Sequence, residues 1–117
     1  MNKEYLELLL ETADNYYAIS RDSERKYNQT IKKMILELQK KLGYVSLLDY
    51  NLEFDCYYNN SENYVKYIRV DENDIIWVNL NEEPNSTQSW LKIGYDRKID
   101  FSSLYNILNE IIDEMFN

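Results

Sequence analysis

Asp74, Asp96 and Lys98 are the residues of this chain whose types and spacing come nearest to catalytic machinery. An acid at one strand end, with an acid-x-Lys pair at its neighbour, can hold Mg²⁺ and orient a water for phosphodiester hydrolysis. The pattern stops at those three residues, and its surroundings oppose it. Residues 43–89 hold nine acids (Asp49, Glu53, Asp55, Glu62, Asp71, Glu72, Asp74, Glu82 and Glu83) against Lys66 and Arg69 alone. Such a segment repels the polyanion that the reaction requires. Charged turn residues are therefore the expected reading, and a Mg²⁺-dependent nuclease is a remote alternative.

The rest of the chemistry narrows quickly. The chain has no histidine, which removes the commonest general base, the Ser-His and Cys-His nucleophile pairs and most transition-metal sites. Cys56, the only cysteine, alternates with polar residues on an apolar strand face, which predicts a buried and inert thiol. The stretch "DENDIIWVNLNE" has the acid density of a calcium loop but lacks its central glycine and its acid spacing, so it reads as a solvated hairpin. Neither Gly43 nor Gly94 has a glycine neighbour, so no phosphate-cradling loop is present. No metal and no cofactor is expected.

The elements that must position these residues are legible from hydrophobic spacing. Leu6, Leu10, Ala13, Tyr17, Ser20, Glu24, Tyr27, Ile31, Met34 and Leu38 follow alternating steps of four and three, a heptad seam softened at Ser20 and Glu24. Neither Gly nor Pro interrupts residues 1–42, and Gly43 stands where a left-handed C-cap belongs. Two structures fit. One is a single helix of about 60 Å, for which Leu6, Leu10, Tyr17, Tyr27, Ile31, Met34 and Leu38 form a candidate dimer seam. The other is a helical hairpin that breaks at Ser20–Ser23, where Asp22 or Ser23 could cap the second helix.

Alternating apolar runs at 51–58, 63–71, 74–81 and 89–95, joined by "NNSEN", "DEND" and "NEEPNSTQ", predict a four-stranded antiparallel meander over 51–95. Asp100 is a good N-cap, with Ile99 placed to staple against Leu104. Leu104, Ile107, Leu108, Ile111, Ile112 and Met115 then mark an amphipathic C-terminal helix over 100–116, packed on the sheet. The expected fold is α+β, in one domain over 1–117. Alternation puts Ile76, Val78, Leu91 and Ile93 on one sheet face and Tyr57, Tyr67, Trp77 and Trp90 on the other. Either the N-terminal helices cover that second face, or it is an open aromatic surface bordered by Glu53 and Asp55.

Net charge is −8 and unevenly placed. Residues 21–41 carry Arg21, Arg25, Lys26, Lys32, Lys33, Lys40 and Lys41 against Asp22, Glu24 and Glu37. Lys26, Lys33 and Lys40 recur every seven residues away from the seam, as a solvated outer face does. A lone cysteine, with no apolar leader or membrane-length run, predicts a cytoplasmic protein that neither enters nor crosses a membrane. An acidic sheet attracts basic surfaces, typically those that hold nucleic acid, and does not itself bind nucleic acid.

Small size, strong acidity, abundant tyrosine and absent catalytic machinery make the chain similar in kind to inhibitors that occupy an enzyme's nucleic-acid groove. Immunity proteins of nuclease toxins, phage anti-restriction proteins and anti-CRISPR proteins are of that kind. The expectation is a non-enzymatic, acidic nucleic-acid mimic whose protein partner is a basic nucleic-acid-processing enzyme. Glu53, Asp55, Asp71, Glu72, Asp74, Glu82 and Glu83 would replace phosphates, and Tyr57, Tyr67, Trp77 and Trp90 would anchor the complex. The alternative is a homodimeric scaffold assembled through the heptad seam.

Overall fold

The computed structural model describes residues 2–19, 24–56, 62–81, 90–93 and 97–116. Helix α1 (Lys3–Ile19) begins at Asn2, whose Oδ1 accepts the N–H groups of Glu4 at 2.9 Å and Tyr5 at 3.3 Å. That side chain satisfies donors that the first turn leaves without helical partners. Helix α2 (Glu24–Gln39) runs towards Gly43, which adopts φ +80° and donates its N–H to Gln39 O at 2.6 Å. The left-handed closure expected at Gly43 is present. Glycine reaches that conformation without the Cβ clash other residues meet.

The two helices pack on each other as a hairpin. The longest dimension of the molecule is 37 Å, too short for the continuous rod of about 60 Å. The heptad seam is consequently used within one chain. Leu6, Ile31 and Met34 are fully buried, Tyr27 nearly so, and Leu10 and Leu38 pack against the core. Leu9 and Ile35, both off the seam, are buried as well. A helix that faces both a partner helix and a sheet buries a wider arc than a two-helix seam does.

The strands form a four-stranded antiparallel sheet, but its membership departs from expectation. Its order is β1 (Val45–Ser46), β4 (Tyr67–Val70), β5 (Ile76–Asn79) and β6 (Trp90–Lys92). Strand β2 (Glu53–Cys56), expected in this sheet, lies in a second, three-stranded one between β3 (Glu62–Tyr64) and β7 (Arg97–Ile99). The single strand expected over 63–71 is thus two. Val65 donates its N–H to Leu52 O, on the three-stranded side, and Lys66 donates its own to Asn79 O, on the four-stranded side. The chain changes sheets at that pair, as corner strands do in packed β structures. The phase slips there too, because Val65 is buried together with Ile68 and Val70 while Tyr64 is 45% exposed.

Helix α3 (Phe101–Phe116) starts where expected. Asp100 Oδ1 accepts the N–H groups of Ser102 at 2.9 Å and Ser103 at 3.3 Å, and its Oδ2 accepts the Ser103 hydroxyl at 2.7 Å. Ile99, Leu104, Leu108 and Ile112 join one core with α1, α2 and both sheets. Within that core α2 lies directly on β4 and β1, and α3 packs against α1 and α2. Tyr27 ties the layer together by donating its hydroxyl to Phe101 O at 3.3 Å.

Candidate functional site

The sheet face that carries the predicted aromatics points away from this core. Register sets its composition: Tyr67 stands opposite Asn79, which stands opposite Trp90, and Arg69 stands opposite Trp77, which stands opposite Lys92. The alternate residues Val45, Ile68, Val78 and Leu91 point to α2 and the core. Among the described residues no helix lies over the aromatic side. Trp77, Trp90, Arg69 and Tyr44 are half-buried there, and Ser46 and Lys92 are exposed. Tyr67 is buried without belonging to the main core. Its ring meets the edge of Tyr44 at a centroid distance of 5.1 Å, and Tyr44 lies 6.4 Å from Trp90.

Arg69 occupies the centre. Its guanidinium lies 4.9 Å from the ring centroid of Trp90 and 5.3 Å from that of Trp77, inside the range of about 6 Å over which a ring quadrupole attracts a cation. Two indoles therefore lie within cation–π range of one guanidinium. The guanidinium makes no hydrogen bond or ion pair among the described residues, so its donors remain available.

The tight β4–β5 connection sets this register. Asp74 donates its N–H to Asp71 O at 3.1 Å and itself adopts φ +60°, while Asp71 donates to Ile75 O at 3.0 Å. This is the three-residue hairpin loop whose last residue is left-handed. The Asp71 carboxylate is fully engaged. Its Oδ1 accepts the N–H groups of Asn73 at 2.8 Å and Ile75 at 3.0 Å, and its Oδ2 accepts Trp77 Nε1–H at 2.8 Å. The Trp77 bond, followed by those backbone N–H groups and the charge of Arg69, holds this carboxyl below the usual aspartate range.

The predicted acids are thus dispersed. Asp71 is a structural turn residue, whereas Glu72 and Asp74 are exposed at the hairpin end. Glu53 is exposed on β2, and Asp55 lies on the same strand, so both border the three-stranded sheet rather than the aromatic face. Tyr57, Glu82 and Glu83 lie outside the described residues, as do the side chains of Asp55, Cys56 and Tyr17. Of the remote nuclease pattern, the two described positions stand in different sheets. Lys98, on β7, pairs with Asp55 in the three-stranded sheet, Asp74 belongs to the other sheet, and Asp96 lies outside the described residues.

Two contributors escaped sequence reasoning. By composition Arg69 is a minority base in an acidic segment, yet it shares the period-two phase of Tyr67, and the short "DEND" turn sets it across from Trp77. Tyr44 precedes a strand too short to announce itself. The strands themselves place two cations, Arg69 and Lys92, on this face, and the Asp71 carboxylate reaches its edge through the Trp77 Nε1–H bond. The sheet is acidic at its turns and cationic at its centre.

Among the described residues no three His, Cys, Asp or Glu side chains cluster to hold a metal ion, and no helix is long and apolar enough to cross a membrane. Comparison with known protein families, characterised proteins and solved structures finds no match to this chain. The described site is an aromatic surface around one guanidinium, with Glu72 and Asp74 exposed at the adjoining hairpin end.

Proposed function

We propose that this protein works by binding a protein partner, as an inhibitor that occludes the nucleic-acid-binding surface of a basic enzyme. The observation that carries the reading is the pair of half-exposed tryptophans, held by Arg69 and Asp71 on the face no helix covers. Tryptophan, tyrosine and arginine dominate interface hot spots, and anchors already locked before association lose little entropy on binding. The net charge of −8, with Glu72 and Asp74 exposed beside the aromatic face, favours encounter with a basic surface. Competition for that surface is the mechanism: the inhibitor sits where phosphates would.

The test is retention from lysate of the source organism on immobilised protein, with and without competing DNA. The expected result is a basic nucleic-acid enzyme that DNA or high salt releases, and that Trp90→Ala fails to retain. Glu72→Lys, which alters only an exposed turn, should slow its association. Retained proteins indifferent to DNA, salt and both substitutions would sink the reading. The dimeric scaffold is the second reading, and the burial of Leu6, Ile31 and Met34 of its seam inside one chain favours the inhibitor over it.

A further inference from the structure

We propose that the Trp77–Arg69–Trp90 stack is a receptor for a single carboxylate on the partner, a carboxylate set within an otherwise basic protein surface. This inference rests on the inhibitor reading and specifies its centre. Arg69 carries five N–H donors in a planar fork that matches a carboxylate bidentately. The centroids of the two indoles lie 4.9 and 5.3 Å from it, within cation–π range, and an acceptor would pair with its N–H groups. A guanidinium already held by two rings has less freedom to lose when an acceptor arrives. Asp71, the nearest acid by sequence, interacts with Arg69 through its charge but forms no ion pair with it among the described residues. Both its oxygens are occupied, by Asn73 and Ile75 N–H on one side and Trp77 Nε1–H on the other.

The surroundings select the occupant. Lys92 lies on the same face, across from Trp77, so the centre is cationic, while Glu72 and Asp74 are exposed at the end of the hairpin that carries Arg69. A polyanion would bring many phosphates against that rim and against a net charge of −8. A lone carboxylate ringed by Lys and Arg matches both signs of the pattern. Metal-dependent nucleic-acid enzymes combine those features, since carboxylates hold their Mg²⁺ and bases around them contact phosphates. Arg69 would stand in for the metal ion and the acidic rim for the phosphates.

The experiment uses the full chain and two lysine-rich peptides that differ only by a central aspartate or asparagine. NMR follows the Arg69 Nε–H and the Trp77 and Trp90 indole N–H signals. The aspartate peptide should bind more tightly by about fivefold, a modest figure because the site is half-exposed. That advantage should vanish in Arg69→Gln, whose dispersed indole signals would verify its fold. Equal binding of both peptides would overturn the carboxylate site and leave the acidic-surface reading standing. Failure of both to bind would overturn the site and remove support from that reading as well. Perturbation of the same signals by a thymidine oligonucleotide, and not by the aspartate peptide, would overturn the proposal in favour of nucleic acid.

Discussion

Asp74 has φ +60°, a conformation that costs an L-residue about 1–2 kcal/mol and that aspartate tolerates better than most. Asp74→Gly should therefore raise stability by about 0.5 kcal/mol, the released strain being partly offset by glycine's larger unfolded entropy. A urea midpoint lower than wild type would contradict this account of the loop. Asp71 acts three residues away by a different route. Its carboxyl is lowered in the folded protein, first by the Trp77 indole N–H, so the ionised form is the one the fold favours. That contribution is complete above the unfolded value of about 4 and is lost as pH falls through the lowered folded value. Asp71→Asn should remove part of the acid-limb decline, so that wild type and variant converge as pH drops below about 4. Tryptophan fluorescence during acid titration reads the transition directly. Parallel curves for the two proteins down to strong acid would reject the role assigned to this carboxylate.

Strand β1 is only two residues long, and it leaves Val70 on β4 without a strand partner on that side. The Gln39 side chain substitutes for one: its Nε2 donates to Val70 O at 2.7 Å and its Oε1 accepts Val70 N–H at 2.8 Å. One amide thus completes the ladder from the last turn of α2 and locks the helix to the sheet it covers. Leaving buried backbone groups unpaired costs about 1–3 kcal/mol, and Gln39→Leu should cost that much. Gln39→Glu should be worse, because a carboxylate would face the Val70 carbonyl. Hydrogen exchange at Val70, expected to quicken in both variants, checks the location. Unchanged protection would mean that the amide pair carries no weight. The sequence marked Gln39 only as an ordinary helix residue near Gly43, since nothing local tells which backbone a side-chain amide will meet.

At the scale of the molecule, the buried seam makes a concrete statement about assembly. If Ile31 and Met34 are core residues of one chain, the urea midpoint must not depend on protein concentration. Met34→Ala should cost about 2–5 kcal/mol and leave the sedimentation behaviour of the folded fraction unaltered. A midpoint that rises with concentration would return the seam to intermolecular use. Charge adds shape to this picture. The exposed Arg25 and Lys33 lie on α2, with exposed Lys40 just after its end, and the exposed Glu72 and Asp74 lie at the β4–β5 hairpin. The two signs are separated because α2 and the hairpin are distinct elements.

Periodicity and punctuation by themselves determined the α+β class, the capped start of α3 at Asp100, the closure at Gly43 and the two faces of β4, β5 and β6. These are local properties, set by spacings of two, three and four residues and by side chains that bond their own backbone. Alternation also put Trp77, Trp90 and Tyr67 together on one face before any pairing was known. Tertiary structure alone decided the rest. The seam could serve a hairpin or a dimer equally well, because burial of the same residues is satisfied by either. The sheet change at Val65–Lys66 depends on which strand offers Leu52 O and which offers Asn79 O, and hydrophobic pattern does not encode hydrogen-bond partners. Arg69 is the sharpest case. As a residue it is one base among acids, and it becomes the centre of the site only because β4–β5 and β5–β6 pairing brings Trp77 and Trp90 within 5.3 and 4.9 Å of it.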